Sequence, residues 1–318
     1  MIVIFIIYFI FLVWLFEFSD IEDQHDYNIN SDESITIIID YIHDLNGLFS
    51  TIDNIKLQKY NLNNLHLIIL DSSSDDINIL IDNYKYIFAS IDVFKVTDIN
   101  QSDLLNKIKS VSNEYILFIE SGITMSQSLI PLIMKYMLRS NLSAISLPLF
   151  YRYKNHYHKF YQLFHCFIES VRCSLINKNF NLSMKNFIIH KEYFIDFINQ
   201  KKMDISTRYF ISPDLCLYKN EDYSLVIDRN LKIIHISYSI INFLFIFTLL
   251  EFITSPNQYF FILLIIKIIP ELSFIYTFYN RLRIKFPKID YLIFCVIGPF
   301  YSVIELIYNQ VIINNNKS

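Results

Sequence analysis

Three carboxylate positions in this chain stand where their surroundings would let them do chemistry. Asp71 opens the run Asp71-Ser72-Ser73-Ser74-Asp75-Asp76, Glu120 opens Glu120-Ser121-Gly122, and Asp214 follows Pro213. Carboxylates hold hard cations and accept protons. Asp71 and Glu120 each end a short apolar run that reads as a strand, so both fall where parallel sheets bind ligands, at the strands' carboxyl ends. Asp214 opens a short predicted helix, Asp214–Lys219. Each also has a plainer reading. The Asp71–Asp76 run suits a turn and helix N-cap, Glu120 a solvated strand end, and Asp214 a first-turn acid. Gly122 is one of only three glycines, which points to a backbone needing freedom that a side chain would deny. His156 and His158 lie among tyrosines without further metal-ligand partners, which favours a polar loop.

The elements that must position these residues are legible from periodicity. Ile35–Ile39, His66–Leu70, Ile91–Val96 and Tyr115–Ile119 read as strands buried on both faces, because they lack polar alternation. Between them Asp44–Lys59, Asp76–Tyr84 and Ser102–Val111 read as amphipathic helices. Strand–helix alternation with short connections predicts βαβ units and an α/β fold with a mainly parallel sheet flanked by helices.

Composition adds a membrane. Of 318 residues 53% are hydrophobic and 18% charged, with mean hydropathy +0.33, too apolar for a wholly soluble enzyme. Three glycines and two alanines exclude Gly-rich phosphate loops and Gly/Ser linkers. A net charge of −4 with no basic stripe excludes a nucleic-acid footprint. The four cysteines have no C-x-x-C spacing and read as buried free thiols. Ile2–Phe16 is uninterrupted apolar sequence, read as a retained anchor. Ser237–Ile253, Tyr259–Phe278 and Tyr291–Ile312 form a second apolar zone, read as about three membrane helices. Lys267 and Glu271 in the middle segment are four residues apart, so they share a helix face and would pair toward the bundle; an interfacial or re-entrant helix is the competing reading. The short basic stretch Asn280–Lys288 should be cytoplasmic. That places the main domain on the cytoplasmic side of the cell (inner) membrane. The expected organisation is an anchor (1–17), an α/β domain (18–236), C-terminal membrane helices (237–312) and a polar tail (313–318).

The order of these motifs resembles a membrane-bound, bacterial-type family-2 glycosyltransferase with a GT-A fold. The resemblance rests on Ser34–Leu48, His66–Asp76, the intact Glu114-Tyr115-Ile116-Leu117-Phe118 leading to Glu120, Asn186–Phe194, Pro213-Asp214, and Gly298-Pro299-Phe300-Tyr301-Ser302. It implies transfer of a sugar from a nucleotide-sugar donor to a hydroxyl with inversion, assisted by a divalent cation, Mg or Mn. By resemblance, Asp71 contacts the nucleobase and Asp76 supports that loop. Glu120 lies at the ribose and metal, Asp214 is the general base, and Asp44 keeps the acidic character of the family's opening motif. Two departures stand out. Gly122 replaces the second aspartate of Asp-x-Asp, which in the family is the main metal ligand, and the Gln-x-x-Arg-Trp element is absent.

The expected protein is thus a membrane-anchored glycosyltransferase acting on a lipid or envelope-glycan acceptor. The alternative is a non-catalytic member that keeps the fold as a scaffold or partner of another enzyme. A transporter or channel is disfavoured, because more than half of the chain reads as α/β.

Overall fold

The computed structural model describes residues 2–15, 33–41, 44–73, 77, 81–96, 101–111, 113–139, 142–152, 159–177, 186–198, 207–209, 212–220, 232–254, 258–295 and 297–300. Two compact units divide the chain. One comprises Ser19–Phe150 and Met184–Asn220, and the other Met1–Phe18, Tyr151–Ser183 and Glu221–Ser318.

The first unit is α/β. Its strands are β1 (Ile35–Tyr41), β2 (Leu65–Asp71), β3 (Ser90–Lys95), β4 (Tyr115–Glu120), β5 (Ile123–Met125), β6 (Ala144–Ser146), β7 (Leu149–Arg152), β8 (Phe187–His190), β9 (Thr207–Tyr209) and β10 (Leu217–Asn220). Its helices are α2 (Leu45–Lys56), α3 (Gln101–Ser110), α4 (Leu129–Arg139) and α6 (Lys191–Ile198). Seven strands form one sheet in the order β3-β2-β1-β4-β8-β6-β9. The β1–β2, β1–β4, β2–β3 and β6–β9 pairs are parallel, whereas β8 runs antiparallel to β4 and β6. Strand β1 is buried on both faces, as its unbroken β-branched run requires. Each such isoleucine contributes about 1.5–3 kcal/mol by burial. The core continues through Ile38, Ile68, Ile116, Ala144, Phe187 and Ile189.

The sheet's polarity brings chemistry to one edge. Tyr41 pairs with Asp71, Asp40 with Glu120, and Phe118 with Phe187. The carboxyl ends of β1, β2 and β4 therefore share an edge with Asn186 at the start of β8 and Ser146 at the end of β6. A smaller sheet, ordered β5-β10-β7, stands beside it. One edge of β5 pairs with β10, and side chains of α2 cover the other. Thr51 Oγ1 accepts from the Ile123 amide (3.1 Å), Asn54 Oδ1 from the Met125 amide (3.3 Å), and Gln58 Nε2 donates to the Ser126 carbonyl (2.8 Å). Spacings of three and four residues put Gly47, Thr51, Asn54 and Gln58 on one helix face, so α2 acts as a polar substitute for a neighbouring strand.

One expectation is corrected here. Asp214–Lys219 is not a helix: residues 213–215 form a turn and β10 follows. The Pro-Asp start signal is overridden by pairing, since Leu217, Tyr218 and Lys219 lie opposite Met125, Thr124 and Ile123. Asp76, His156 and His158 lie outside the described residues.

The second unit is helical: α1 (Ile2–Leu15), α5 (Lys159–Asn177), α7 (Lys232–Thr254) and α8 (Gln258–Arg281), with residues 288–295 and 297–300 also helical. Helix α5 groups with these helices, although it falls inside the 18–236 range expected for the α/β domain. Phe5, Tyr8, Leu12 and Leu15 form the buried stripe of α1 at spacings of three and four, while Val3, Ile7, Ile10 and Trp14 are exposed. Among the described residues, Phe260–Arg281 is the one helix long and apolar enough to cross a membrane; Val3–Leu15 and Tyr238–Thr254 are apolar but shorter. The expected third C-terminal span lies mostly outside the described residues. Lys267 and Glu271 pair at 2.9 Å and are buried, as their spacing predicts. All four cysteines are buried, and none is in a disulfide.

Candidate active site

The site is built where α2 meets the turn after β4. Asp44 precedes α2, and its carboxylate folds back over Gly47: a Cβ on Gly47 would lie 2.3 Å from Asp44 Oδ2 and 3.0 Å from the Gly122 Cα. The Gly122 amide donates to the Gly47 carbonyl (3.1 Å). Gly122 has φ +79°, left-handed backbone that favours glycine. Two of the chain's three glycines are thus explained by one close approach of helix and turn. An aspartate at position 122, as the family pattern has it, would carry its side chain from strained backbone into the space beside Asp44 and Lys219.

Glu120, at the end of β4, is largely buried. Its amide donates to Asn186 Oδ1 (3.0 Å), and its Oε2 accepts from Lys219 Nζ (3.2 Å). Lys219 arrives because β10 runs antiparallel to β5, placing Lys219 opposite Ile123. Its Cε is 3.7 Å, and Asp44 Oδ2 3.9 Å, from the point where a Cβ on Gly122 would be. Asp44, Glu120 and Lys219 therefore surround one glycine turn. Asn186 Nδ2 and Ser146 Oγ, both buried at this edge, have no hydrogen-bond partner among the described residues.

Asp71 lies on the same edge, two strands from Glu120 and about 10 Å away at the usual strand spacing. Its side chain is fully buried and turned inward. Its Oδ1 accepts from the Ser73 amide (2.8 Å) and hydroxyl (2.6 Å), and Lys95 Nζ is 2.6 Å from Oδ2. Burial by itself would raise the carboxyl's pKa, but the bonds from Lys95 and Ser73 outweigh it and hold it below the ordinary value. A depressed carboxylate contributes stability that is present above its unfolded pKa and lost as pH falls through the folded one. Wild type should therefore exceed Asp71→Asn in unfolding free energy by an amount on the order of 1 kcal/mol at neutral pH. That difference should begin to shrink below about pH 4 and vanish only once pH has fallen through the lower, folded-state value. Chemical denaturation of both proteins across pH measures it, and a pH-independent difference would contradict the ion pair.

Asp214 is placed elsewhere. Its Oδ1 accepts from Ser126 (3.3 Å) and Ser128 (3.5 Å), at the far end of β5 from Gly122. Four residues of extended chain separate the two ends, roughly 13 Å.

Residue types alone would not have singled out Lys219, Asn186, Gly47 or Lys95. The one available signal was Gly47, as one of three glycines. As for a divalent cation, the described donors do not fit one. Glu120 is bonded to an ammonium, Gly122 offers no ligand, and among the described residues no three His, Cys, Asp or Glu side chains gather into a metal-holding group.

Fold and site together define an α/β protein with a polar, mixed-charge edge at the carboxyl ends of its parallel strands. No protein-family model matches the chain, and no curated protein matches it. Among solved structures it is similar to a mannosyltransferase, PcManGT from Pyrobaculum calidifontis, in complex with GDP-Man and Mn2+ (11% identity, 96% of this chain and 81% of that one, TM-score 0.43). It is also similar to S. aureus TarS 1-349 in complex with UDP-GlcNAc (10% identity, 85% and 81%, TM-score 0.42). A third is glucosyl-3-phosphoglycerate synthase from Mycobacterium tuberculosis with Mn2+ and UDP-glucose (15% identity, 71% and 81%, TM-score 0.38).

Proposed function

We propose that this protein is a membrane-anchored, inverting glycosyltransferase that moves a sugar from a nucleotide-sugar donor to a lipid or envelope-glycan acceptor. The observation that carries the reading is the gathering of Asp44, Glu120 and Lys219 around Gly122, on the sheet edge that also holds Asp71. The buried Asp71 fixes the Ser72–Ser73 turn against which the base would lie. Beyond β4, the unpaired polar atoms of Asn186 and Ser146 leave hydrogen-bonding capacity on the acceptor side. Membrane anchoring is supported by the helical unit, which carries 23 of the 27 exposed large apolar side chains among the described residues. The basic residues Arg281, at the end of α8, and Arg283, Lys285 and Lys288 after it support a cytoplasmic main domain at the inner membrane.

Two positions compete for the role of proton acceptor. Asp214 is the sequence-based choice, held by Ser126 and Ser128. Glu221 and Asp222 directly follow Asn220 in sequence, within three residues of Lys219. A base must lie within hydrogen-bond reach of the hydroxyl it deprotonates.

The test is turnover and binding of nucleotide sugars by the full chain in detergent. Glu120→Gln should weaken donor binding at least about ten-fold, close to 1.4 kcal/mol. Whichever of Asp214→Asn and Asp222→Asn keeps binding but loses turnover identifies the base. Binding without turnover in wild type, for every donor and acceptor tried, would favour the scaffold alternative.

A further inference from the structure

We infer that Lys219 supplies the positive charge that a divalent cation would otherwise bring to the donor's diphosphate, so that this site works without a metal. The inference rests on the glycosyltransferase reading.

In the pattern this chain resembles, two carboxylates face one divalent cation, and their charges cancel. Here one carboxylate position is Gly122, and the other, Glu120, has the ammonium of Lys219 3.2 Å away. Losing one carboxylate and exchanging a double charge for a single one are the two halves of one coordinated change.

Geometry supports the exchange. Lys219 Cε lies 3.7 Å from the point where a Cβ on residue 122 would be, so the lysine stem lies alongside the space that an aspartate side chain would enter. The left-handed φ of Gly122 and its approach to Gly47 keep that space clear. The lysine is also held in place: β10 is fixed between β5 and β7, and the carbonyl of its neighbour Tyr218 accepts from Thr124 Oγ1 (3.2 Å). Both Lys219 and Glu120 keep partial exposure, at 23% and 15%, so the ammonium is reachable from solvent. An ammonium is a compact charge with three donors and binds phosphate oxygens well.

The transfer balances without a metal. The acceptor oxygen forms a bond to the anomeric carbon as the carbon–oxygen bond to the diphosphate breaks. The electron pair of the broken bond leaves on the diphosphate oxygen, where Lys219 offsets the developing charge. The hydroxyl proton passes to a carboxylate.

The experiment is calorimetric titration of the full chain in detergent with UDP and with GDP, in excess EDTA and in excess MnCl2. Wild type is expected to bind one of them with affinities that agree within about two-fold between the two conditions. Lys219→Met should lose at least about ten-fold in both, and Lys219→Arg should keep most of the affinity. Because Lys219→Met removes the ammonium 3.2 Å from Glu120, the double variant Lys219→Met/Glu120→Gln and the single variant Glu120→Gln are measured alongside, with a thermal melt for each protein. If the double variant binds as tightly as Glu120→Gln alone, the lysine only neutralised Glu120 and the inference is overturned. Mn2+-dependent binding that is indifferent to Lys219→Met overturns it as well. Binding of neither nucleotide in either condition overturns the glycosyltransferase reading itself.

Discussion

Replacing Glu271 by alanine is expected to destabilise the helical unit by about 3–5 kcal/mol, the cost of stranding a buried charge. Lys267 and Glu271 are each 1% exposed in α8, with Nζ and Oε2 2.9 Å apart. Glu271 also accepts from Tyr8 of α1 (2.9 Å) and from Tyr238 of α7 (3.5 Å), so one carboxylate joins three helices. Without it, Lys267 keeps the faces of Tyr238 and Phe245, at 5.7 and 5.2 Å, as cation–π partners. Such contacts supply about 0.5–2 kcal/mol, less than the charge costs to bury. The double change Lys267→Met/Glu271→Leu removes both charges and should come out near neutral. Trp14 is the only tryptophan and sits on α1, so its fluorescence during thermal unfolding in detergent reports release of the helix that Tyr8 holds. A single variant that melts within 1 kcal/mol of wild type would show that the pair contributes little.

This pair also shows which features were legible beforehand. Lys267 and Glu271 were readable because their relationship is local: four residues on a helix fix a common face. The parallel strands were readable for a similar reason. Ile35–Ile39, His66–Leu70 and Tyr115–Ile119 each lie inside an observed strand that extends them by one or two residues at its ends. Unbroken β-branched runs fix strand and burial together. Asp71 and Glu120 could be placed at carboxyl ends on that basis, before any pairing was known. The site's other half was not legible, because it is made by non-local pairing. Lys219 reaches Glu120 across 99 residues of sequence, through a strand whose Pro-Asp start imitates a helix. Nor does anything near Asp214 in sequence reveal that Ser126 and Ser128 hold it away from Gly122. In sequence, Gly122 is both a backbone necessity and a lost ligand. Its φ of +79° supports the first, and the lysine beside it gives the second a physical counterpart.

Gly47→Ala is the change in which local and tertiary rules oppose each other most directly. Helix propensity alone says that alanine for glycine within α2 should stabilise by about 1 kcal/mol. Packing predicts the opposite. The new Cβ would lie 2.3 Å from Asp44 Oδ2 and 3.0 Å from the Gly122 Cα. The carboxylate can rotate away, giving up its place in the site. The Gly122 Cα cannot move without disturbing a turn tied by the Gly122 amide to the Gly47 carbonyl and by the Ile123 amide to Thr51 Oγ1. Forcing a methyl into such a contact costs about 1–3 kcal/mol, which exceeds the propensity gain. The expected result is a net loss in unfolding free energy, together with faster hydrogen exchange at the Gly122 amide. Nucleotide binding should weaken too, because Asp44 and the turn carrying Glu120 and Gly122 move together. Asn46→Ala, one residue earlier and exposed, carries the same propensity argument without the contact and should be neutral or mildly stabilising. If Gly47→Ala proved as stable as Asn46→Ala, α2 would not be pressed against the turn, and the arrangement that brings Asp44, Glu120 and Lys219 together would lose its physical basis.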